Sequence, residues 1–404
     1  MTPSPTLERV ARGQLCSGCG LCASIGEGAI ELVTVSPGFT RPRQIAEITA
    51  SQEARIAQCC PGVGIDNRPA APNDDSLWGP SFFTGTGHAT DAAVRHQASS
   101  GGVISALLIH ALATGAVDYV VETGMDASHP LGNVTVSARR PGDVIAAAGS
   151  RYASSSPLAE ISAMLDAPGR FAFVGKPCDV SALRALARID PRVDAKVPLM
   201  LAFFCAGVPS GDGARRILAA IEAPEAEVTA FRYRGDGWPG NATATLADGS
   251  TRSMSYHDSW GKILSKEVQF RCKICPDAVG GAADVACADA WYGDAKGYPS
   301  FAEQAGRSLV IARTSIGESL LNAARITGAI VVDAINPREI DRMQPSQVRR
   351  KRELLARLAA TKVAGRPVPR YRGVGLVSAA RQAPVLQHAR AFAGLVRRFA
   401  LRRT

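Results

Sequence analysis

Cys272 and Cys275 stand three residues apart in the segment 271–289, Arg-Cys-Lys-Ile-Cys-Pro-Asp-Ala-Val-Gly-Gly-Ala-Ala-Asp-Val-Ala-Cys-Ala-Asp. Two thiolates at this spacing grip one metal centre while the backbone folds beneath it, yet a four-coordinate site needs two further ligands. The fold must therefore bring donors to this pair from distant sequence. Ten cysteines in 404 residues, without an apolar leader in residues 1–13, point to metal or redox work in a cytoplasmic chain rather than to structural disulfides.

A second cysteine motif lies near the N-terminus. Residues 15–22 read Leu-Cys-Ser-Gly-Cys-Gly-Leu-Cys, which puts Cys16, Cys19 and Cys22 at Cys-x2-Cys-x2-Cys spacing. Such a run wraps one loop around a [4Fe–4S] cube, with small residues between so that backbone amides can turn toward the sulfurs. A fourth cysteine at the bacterial ferredoxin spacing would fall on Gly26, so the remaining ligand is sought further on, at Cys59 or Cys60. Cys60 is preferred because Pro61 follows it. A zinc knuckle is the competing reading, but there is no histidine nearby and three cysteines at this spacing exceed its needs.

From 169 onward, short apolar runs alternate with amphipathic stretches. Strands over 171–174 and 197–204, each followed by a turn and a helix, predict parallel βαβ units. The first helix is expected to be capped by Asp179 and to run to Ala187, and the second to start at Ser210. Cys178 and Cys205 each fall just past the carboxyl end of a strand, the edge on which ligands of such sheets collect. A buried inert thiol is the plain reading for either alone. Two in equivalent positions favour completion of the centre begun by Cys272 and Cys275.

Ser99-Ser100-Gly101-Gly102 opens an apolar helical stripe that Gly115 closes; the start suits a phosphate or an ordinary N-cap equally. Strands are expected over 117–123 and 133–138. Gly149-Ser150-Arg151-Tyr152 offers a guanidinium for a pyrophosphate and a ring for stacking, or simply surface groups. Segment 66–93 reads as a linker, and the stretch between Cys205 and Cys272 as an antiparallel insertion, with a strand over 228–233 and a hairpin turning at Asp248-Gly249. Trp238, in its Gly-rich loop, either covers a planar cofactor or anchors the loop. A strand over 308–313, a helix over 315–326 and a strand over 329–332 complete the sheet.

The net charge of +10 is confined to the end of the chain: 16 Lys/Arg and one acid follow position 341, while the first 341 residues carry 30 Lys/Arg against 35 Asp/Glu, a net −5. A nucleic-acid partner is therefore not implied. No apolar run approaches the roughly 18 residues of a membrane span. Helices over 347–358 and 384–403 make a basic tail. The second is amphipathic, so peripheral contact with an anionic membrane surface competes with a solvated charged end.

The order of these motifs resembles the coenzyme F420 hydrogenase/dehydrogenase beta subunit family over residues 15–333: Cys-x2-Cys-Gly-x-Cys, Cys-Pro-Gly, Ser-Ser-Gly-Gly, Gly-Ser-x-Tyr, Gly-x-Pro-Cys, Phe-Cys, Arg-Gly-x-Gly-Trp-Pro and Arg-Cys-x-x-Cys-x-Asp. The resemblance implies an oxidoreductase with FAD and two [4Fe–4S] clusters, one on Cys16, Cys19, Cys22 and Cys60, the other on Cys178, Cys205, Cys272 and Cys275. It implies flavin contacts from Ser99, Ser100, Gly101, Gly102, Gly149, Ser150, Arg151 and Tyr152, with Lys176 added from the turn before Cys178. The expected fold is α/β, α+β overall. A small ferredoxin-like module over 1–68 precedes a two-part mixed-sheet domain over 69–165 and 166–341, and the tail covers 342–404. Expected partners are ferredoxin or another electron-transfer protein and an organic acceptor, which is coenzyme F420, a pigment or a polysaccharide-related substrate. A homo-oligomer and a relay subunit without its own substrate are both compatible with this pattern. No catalytic acid is written in the sequence; His96, Tyr152, Lys176 and Asp289 have the chemistry. The chain departs from the family pattern at Cys287-Ala288-Asp289, where Cys287 has no evident task.

Overall fold

A computed structural model describes residues 1–66, 69–294 and 300–401. Its centre is an eight-stranded mixed sheet. In chain order the strands are β1 (Phe83–Ala89), β2 (Tyr119–Asp126), β3 (His129–Ala138), β4 (Phe171–Gly175), β5 (Leu199–Phe203), β6 (Val285–Asp289), β7 (Ser308–Ala312) and β8 (Ile330–Ala334). They lie in the order β8-β1-β7-β6-β5-β4-β2-β3. The four strands β2, β4, β5 and β6 run parallel, and antiparallel strands extend the sheet on both sides.

The parallel strands read as unbroken apolar runs because both faces are covered. Successive side chains alternate between two cores. Phe171 and Phe173 pack with Val180, Leu183 and Met200 on one face, and Ala172 and Val174 pack with Leu107, Leu201 and Leu321 on the other. The Val103–Ala113 and Ser315–Ile326 helices cover the second face; the Pro177–Ala187 helix and the N-terminal cysteine segment cover the first. That segment consists of short helices, a hairpin of Ile30–Val35 with Phe39–Gln44, and the Ala50–Cys59 helix.

Several expectations need correction. The segment 66–93 is not a linker: it supplies a small hairpin, Asn73–Asp75 with Gly79–Ser81, and the interior strand β1. Its glycines read as loop, but Gly87 faces a backbone so near that a Cβ would lie 2.0 Å from the Val331 carbonyl oxygen. Strands β7 and β8 complete the mixed sheet as expected, joining it antiparallel. The helix after Ser99-Ser100-Gly101 begins at Val103 with Gly102 as N-cap and no side-chain cap bond, so the two serines do not cap it. Asp179 is the third residue of its helix rather than the cap, because Pro177 starts the helix earlier.

The tail is docked rather than solvated. The Pro345–Val363 and Val385–Ala400 helices pack on each other. Leu395, with Phe392, Val396 and Phe399, lies against Val10, Leu15, Phe270 and Leu354, beside Cys16 and Cys60. Of the apolar face that a membrane contact would use, Leu395 is buried and Phe392, Val396 and Phe399 are partly buried within the chain, while Val385 and Leu386 stay exposed. Arg402 and Arg403, part of the expected helix, lie outside the described residues. Among the described residues no helix is long and apolar enough to cross a membrane.

Candidate functional site

All ten cysteines are free thiols, and eight gather into two groups of four. In the first, Gly18 and Gly20 adopt positive φ (80° and 87°) and curl the loop so that Cys16, Cys19 and Cys22 line a cavity of about 30 Å³. Cys60 enters from the end of the Ala50–Cys59 helix and lines the same cavity. The Gly18 N–H donates to Cys16 Sγ at 3.3 Å. Burial, then the neighbouring thiols, pushes Cys22 well up, and burial with Cys16 raises Cys60 to about 11. Cys59 also borders the cavity, and its charged neighbours besides Cys60 are Arg55 and Arg188 rather than Cys16, Cys19 or Cys22. Of the adjacent pair, Cys60 is the one that Cys19 and Cys22 feel.

The second group combines Cys178 at the start of the Pro177–Ala187 helix, Cys205 in the turn after β5, Cys272 in the short Phe270–Lys273 helix, and Cys275. Cys178 feels Cys205 and Cys275, and Cys205 feels Cys272 and Cys275. Burial pushes Cys205 up to about 12. The Val208 N–H and the Gln269 amide donate to Cys272 Sγ at 3.4 and 3.6 Å. The tail reaches this site: Gln347 Nε2 and Arg350 Nη1 donate to the Cys205 carbonyl at 3.2 and 3.0 Å. A basic tail read from charge alone gives no sign of that support.

Arg271 lies between the groups, 2% exposed. Its Nη2 donates to the Pro61 carbonyl at 3.0 Å, next to Cys60, and its charge is felt by Cys275, Cys178 and Cys272. Among the described residues, its Nε and Nη1 find no hydrogen-bond partner.

Beside the second group, at the carboxyl ends of the parallel strands, a cavity of about 270 Å³ shares the wall of Gly149–Arg151, Arg234 and Tyr256 with an outer one of about 660 Å³. Ser99, Ser100, Gly102, Gly149, Ser150, Arg151, Tyr152 and Lys176 line the inner part, as does Cys205. Gly101 does not; its N–H donates to Ser308 Oγ at 2.9 Å. Ser150 Oγ donates to Ser99 Oγ at 2.7 Å, and Ser100 Oγ donates to the Arg307 carbonyl at 3.0 Å. Arg151 is committed within the chain: its guanidinium donates to Asn133 Oδ1 and to the carbonyls of Pro130, Gly132 and Phe231. Lys176 Nζ meets Asp179 at 2.8 Å and Ser155 Oγ at 2.6 Å.

Of the residues with acid chemistry, Asp289 forms a two-point ion pair with buried Arg234, both contacts 2.8 Å, and accepts from Trp238 Nε1 at 2.9 Å. Trp238 stacks on Trp291 at 4.9 Å, so it anchors its loop. His96 is exposed and absent from the cavity lining. The sequence reading missed Glu122. It sits mid-strand in β2, 7% exposed, on the inner cavity wall, and its Oε1 has no partner among the described residues. Burial pushes its carboxyl up to about 8, so it stays protonated at neutral pH. The available signal was a glutamate directly after the apolar run Tyr119-Val120-Val121 of a strand, a position that charged residues avoid. Cys287 lies within β6, lines the inner cavity and belongs to neither group of four; burial pushes it up to about 12.

These residues fit the groups that the motifs suggest. No three His, Cys, Asp or Glu among the described residues are spaced to hold one metal ion. A tetrahedral zinc site, with sulfurs about 2.3 Å from one ion, needs a tighter set; a four-iron cube takes one thiolate at each corner and spreads them wider. N–H···S donors and a buried guanidinium whose Nε and Nη1 lack partners among the described residues suit such an anionic centre. The two-part cavity is of cofactor size, about 300–1,000 Å³ being usual.

Comparison with known proteins shows the family and the fold. Residues 84–162 match the N-terminal region, and residues 169–338 the C-terminal region, of the family described as coenzyme F420 hydrogenase/dehydrogenase, beta subunit. The chain is 24% identical over 257 residues to F420-dependent formate dehydrogenase 1 subunit beta of Methanococcus maripaludis, covering 63% of this chain and 62% of that one. It thus spans less than two thirds of that relative's length. A chain in a xenon-derivatised structure of the F420-reducing [NiFe] hydrogenase complex from Methanosarcina barkeri shares the fold, with TM-score 0.50 at 22% identity, covering 70% of this chain and 96% of that one.

Proposed function

Because the chain belongs to the coenzyme F420 hydrogenase/dehydrogenase beta subunit family, we propose that it is a flavin- and iron–sulfur-dependent oxidoreductase. It would exchange electrons between a one-electron carrier and an organic acceptor, in either direction. Cys16, Cys19, Cys22 and Cys60 would hold one [4Fe–4S] cluster, and Cys178, Cys205, Cys272 and Cys275 a second; FAD would occupy the two-part cavity. Clusters supply single electrons, and a flavin supplies the conversion between one- and two-electron chemistry. The observation that carries this reading is the adjacency of three parts: two groups of four thiols joined at Arg271, with Cys205 of the second group on the cavity wall.

The chain's own residues divide the remaining work. Ser99 and Ser150 form one hydroxyl edge of the cavity, and Lys176, paired with Asp179, lines it as an ammonium donor. Tyr152 and Trp260, 4.8 Å apart, give an aromatic wall. Burial holds the Glu122 carboxyl protonated to about 8, and its Oε1 has no partner among the described residues, which suits two-electron chemistry that takes up or releases one proton. Coenzyme F420, named in both relatives, is the first acceptor to test, with ferredoxin or a partner protein as carrier. The test mixes anaerobically purified protein with a reduced ferredoxin or a reduced viologen and follows the deazaflavin absorbance of F420. Bleaching that requires the protein supports the reading. If neither F420 nor a flavin-reactive quinone accepts electrons, it fails.

A further inference from the structure

We propose that Arg271 is a counter-charge shared by both groups of four cysteines, holding the reduction potentials of the two clusters higher together than either would stand without it. The inference rests on the cluster reading above and concerns this chain's own residue toward those groups.

A guanidinium removed from water is costly unless something anionic faces it. Arg271 is almost completely buried and has no carboxylate partner among the described residues; Nη2 is satisfied by the Pro61 carbonyl, while Nε and Nη1 are left without acceptors. The Tyr371 ring covers the guanidinium at 5.7 Å and is itself fixed by a hydroxyl bond to the Ile274 carbonyl at 3.0 Å. What faces Arg271 is sulfur on both sides: Cys60 in one group, and Cys178, Cys272 and Cys275 in the other. A four-iron cluster held by four thiolates carries negative charge, and reduction adds one more. A buried cation therefore stabilises the reduced form over the oxidised form, at little screening by water. The other charged pair in this region, Lys176 with Asp179, is internally balanced at 2.8 Å. Arg350 is a further cation but half-exposed, and it neighbours only Cys205 and Cys275 of the second group. Asp179 also neighbours a thiol of each group, Cys19 and Cys178, but as an anion already paired with Lys176; Arg271 is the cation common to both.

The experiment is an anaerobic redox titration followed by electron paramagnetic resonance on wild type, Arg271→Gln and Arg271→Lys, after iron and acid-labile sulfide have been counted. A wild-type protein without iron refutes the functional reading itself, before any variant is compared. With full iron, Arg271→Gln should lower the reduced-to-oxidised ratio at a fixed poise at least tenfold for both centres, a downward shift of about 59 mV for a one-electron couple. Arg271→Lys, which keeps the charge, should stay within about threefold of wild type. Ratios within twofold of wild type in the glutamine variant, or a shift confined to one centre, overturn the proposal. If the glutamine variant loses iron from both centres while the lysine variant keeps it, the shared charge is supported. Loss in both variants, or from one centre only, overturns it.

Discussion

Glu122→Gln isolates the one buried cavity carboxyl that lacks a partner among the described residues, and its consequence can be worked out with a sign. An exposed glutamate ionises near about pH 4.3, whereas burial holds Glu122 protonated to about 8. Between these values the folded chain keeps a proton that the unfolded chain has released. The contribution is therefore full below the lower value and is lost as pH rises through the upper one, at about 1.4 kcal/mol per pH unit. Over pH 5.5 to 7.5 the wild type should lose about 2–3 kcal/mol from this group alone. Glutamine has nearly the same shape and no proton to lose, so the variant lacks that slope. It will carry a constant offset of about 1–3 kcal/mol from an amide without partners, and that offset cancels when the two pH values are compared. The assay is urea unfolding of both proteins at each pH. The stability difference between them should move by about 2–3 kcal/mol in favour of the variant as pH rises. A change below about 0.5 kcal/mol would refute the claim that Glu122 is neutral in the cavity.

Three further outcomes follow from the geometry. Cys60→Ser should cost the protein the iron of one cluster, about half its total, while Cys59→Ser should keep all of it; atomic absorption on anaerobic protein reads both, and equal iron in the two variants would contradict the assignment. Arg350→Ala removes two donors from the carbonyls of Cys205 and Ala206; melting should show a loss of about 1–3 kcal/mol, and an unchanged midpoint would mean that the tail does not brace this loop. Leu395→Ala, at a position only 5% exposed, should destabilise by about 2–5 kcal/mol, and the intact protein should not float with anionic vesicles through this face. A destabilisation below about 0.5 kcal/mol would argue for an undocked tail.

The parallel centre of the fold was legible because β4 and β5 are buried on both faces and so read as continuous apolar runs. Their carboxyl ends place Cys178 and Cys205 on one edge from the strand pattern alone. Strand β1 was not legible, since Gly85 and Gly87 are there to let neighbouring backbones approach, and glycine reads as loop. The docking of the tail was hidden for a different reason. Amphipathicity at Leu395 and Phe399 states that a face will be buried, but not whether lipid or Phe270 buries it. Arg151 shows a third limit: a guanidinium in a Gly-Ser turn suggests phosphate binding, yet four oxygens of the chain hold it. Conversely, Arg271 and Glu122 were in plain sight in the sequence, and only burial gave them meaning.

The central claim is that eight thiols hold two iron–sulfur clusters beside a flavin. Metal, sulfide and flavin analysis of anaerobically purified protein tests it most directly. The account predicts about eight iron and eight sulfide per chain, with one releasable FAD. A colourless protein carrying stoichiometric zinc and no flavin would contradict it.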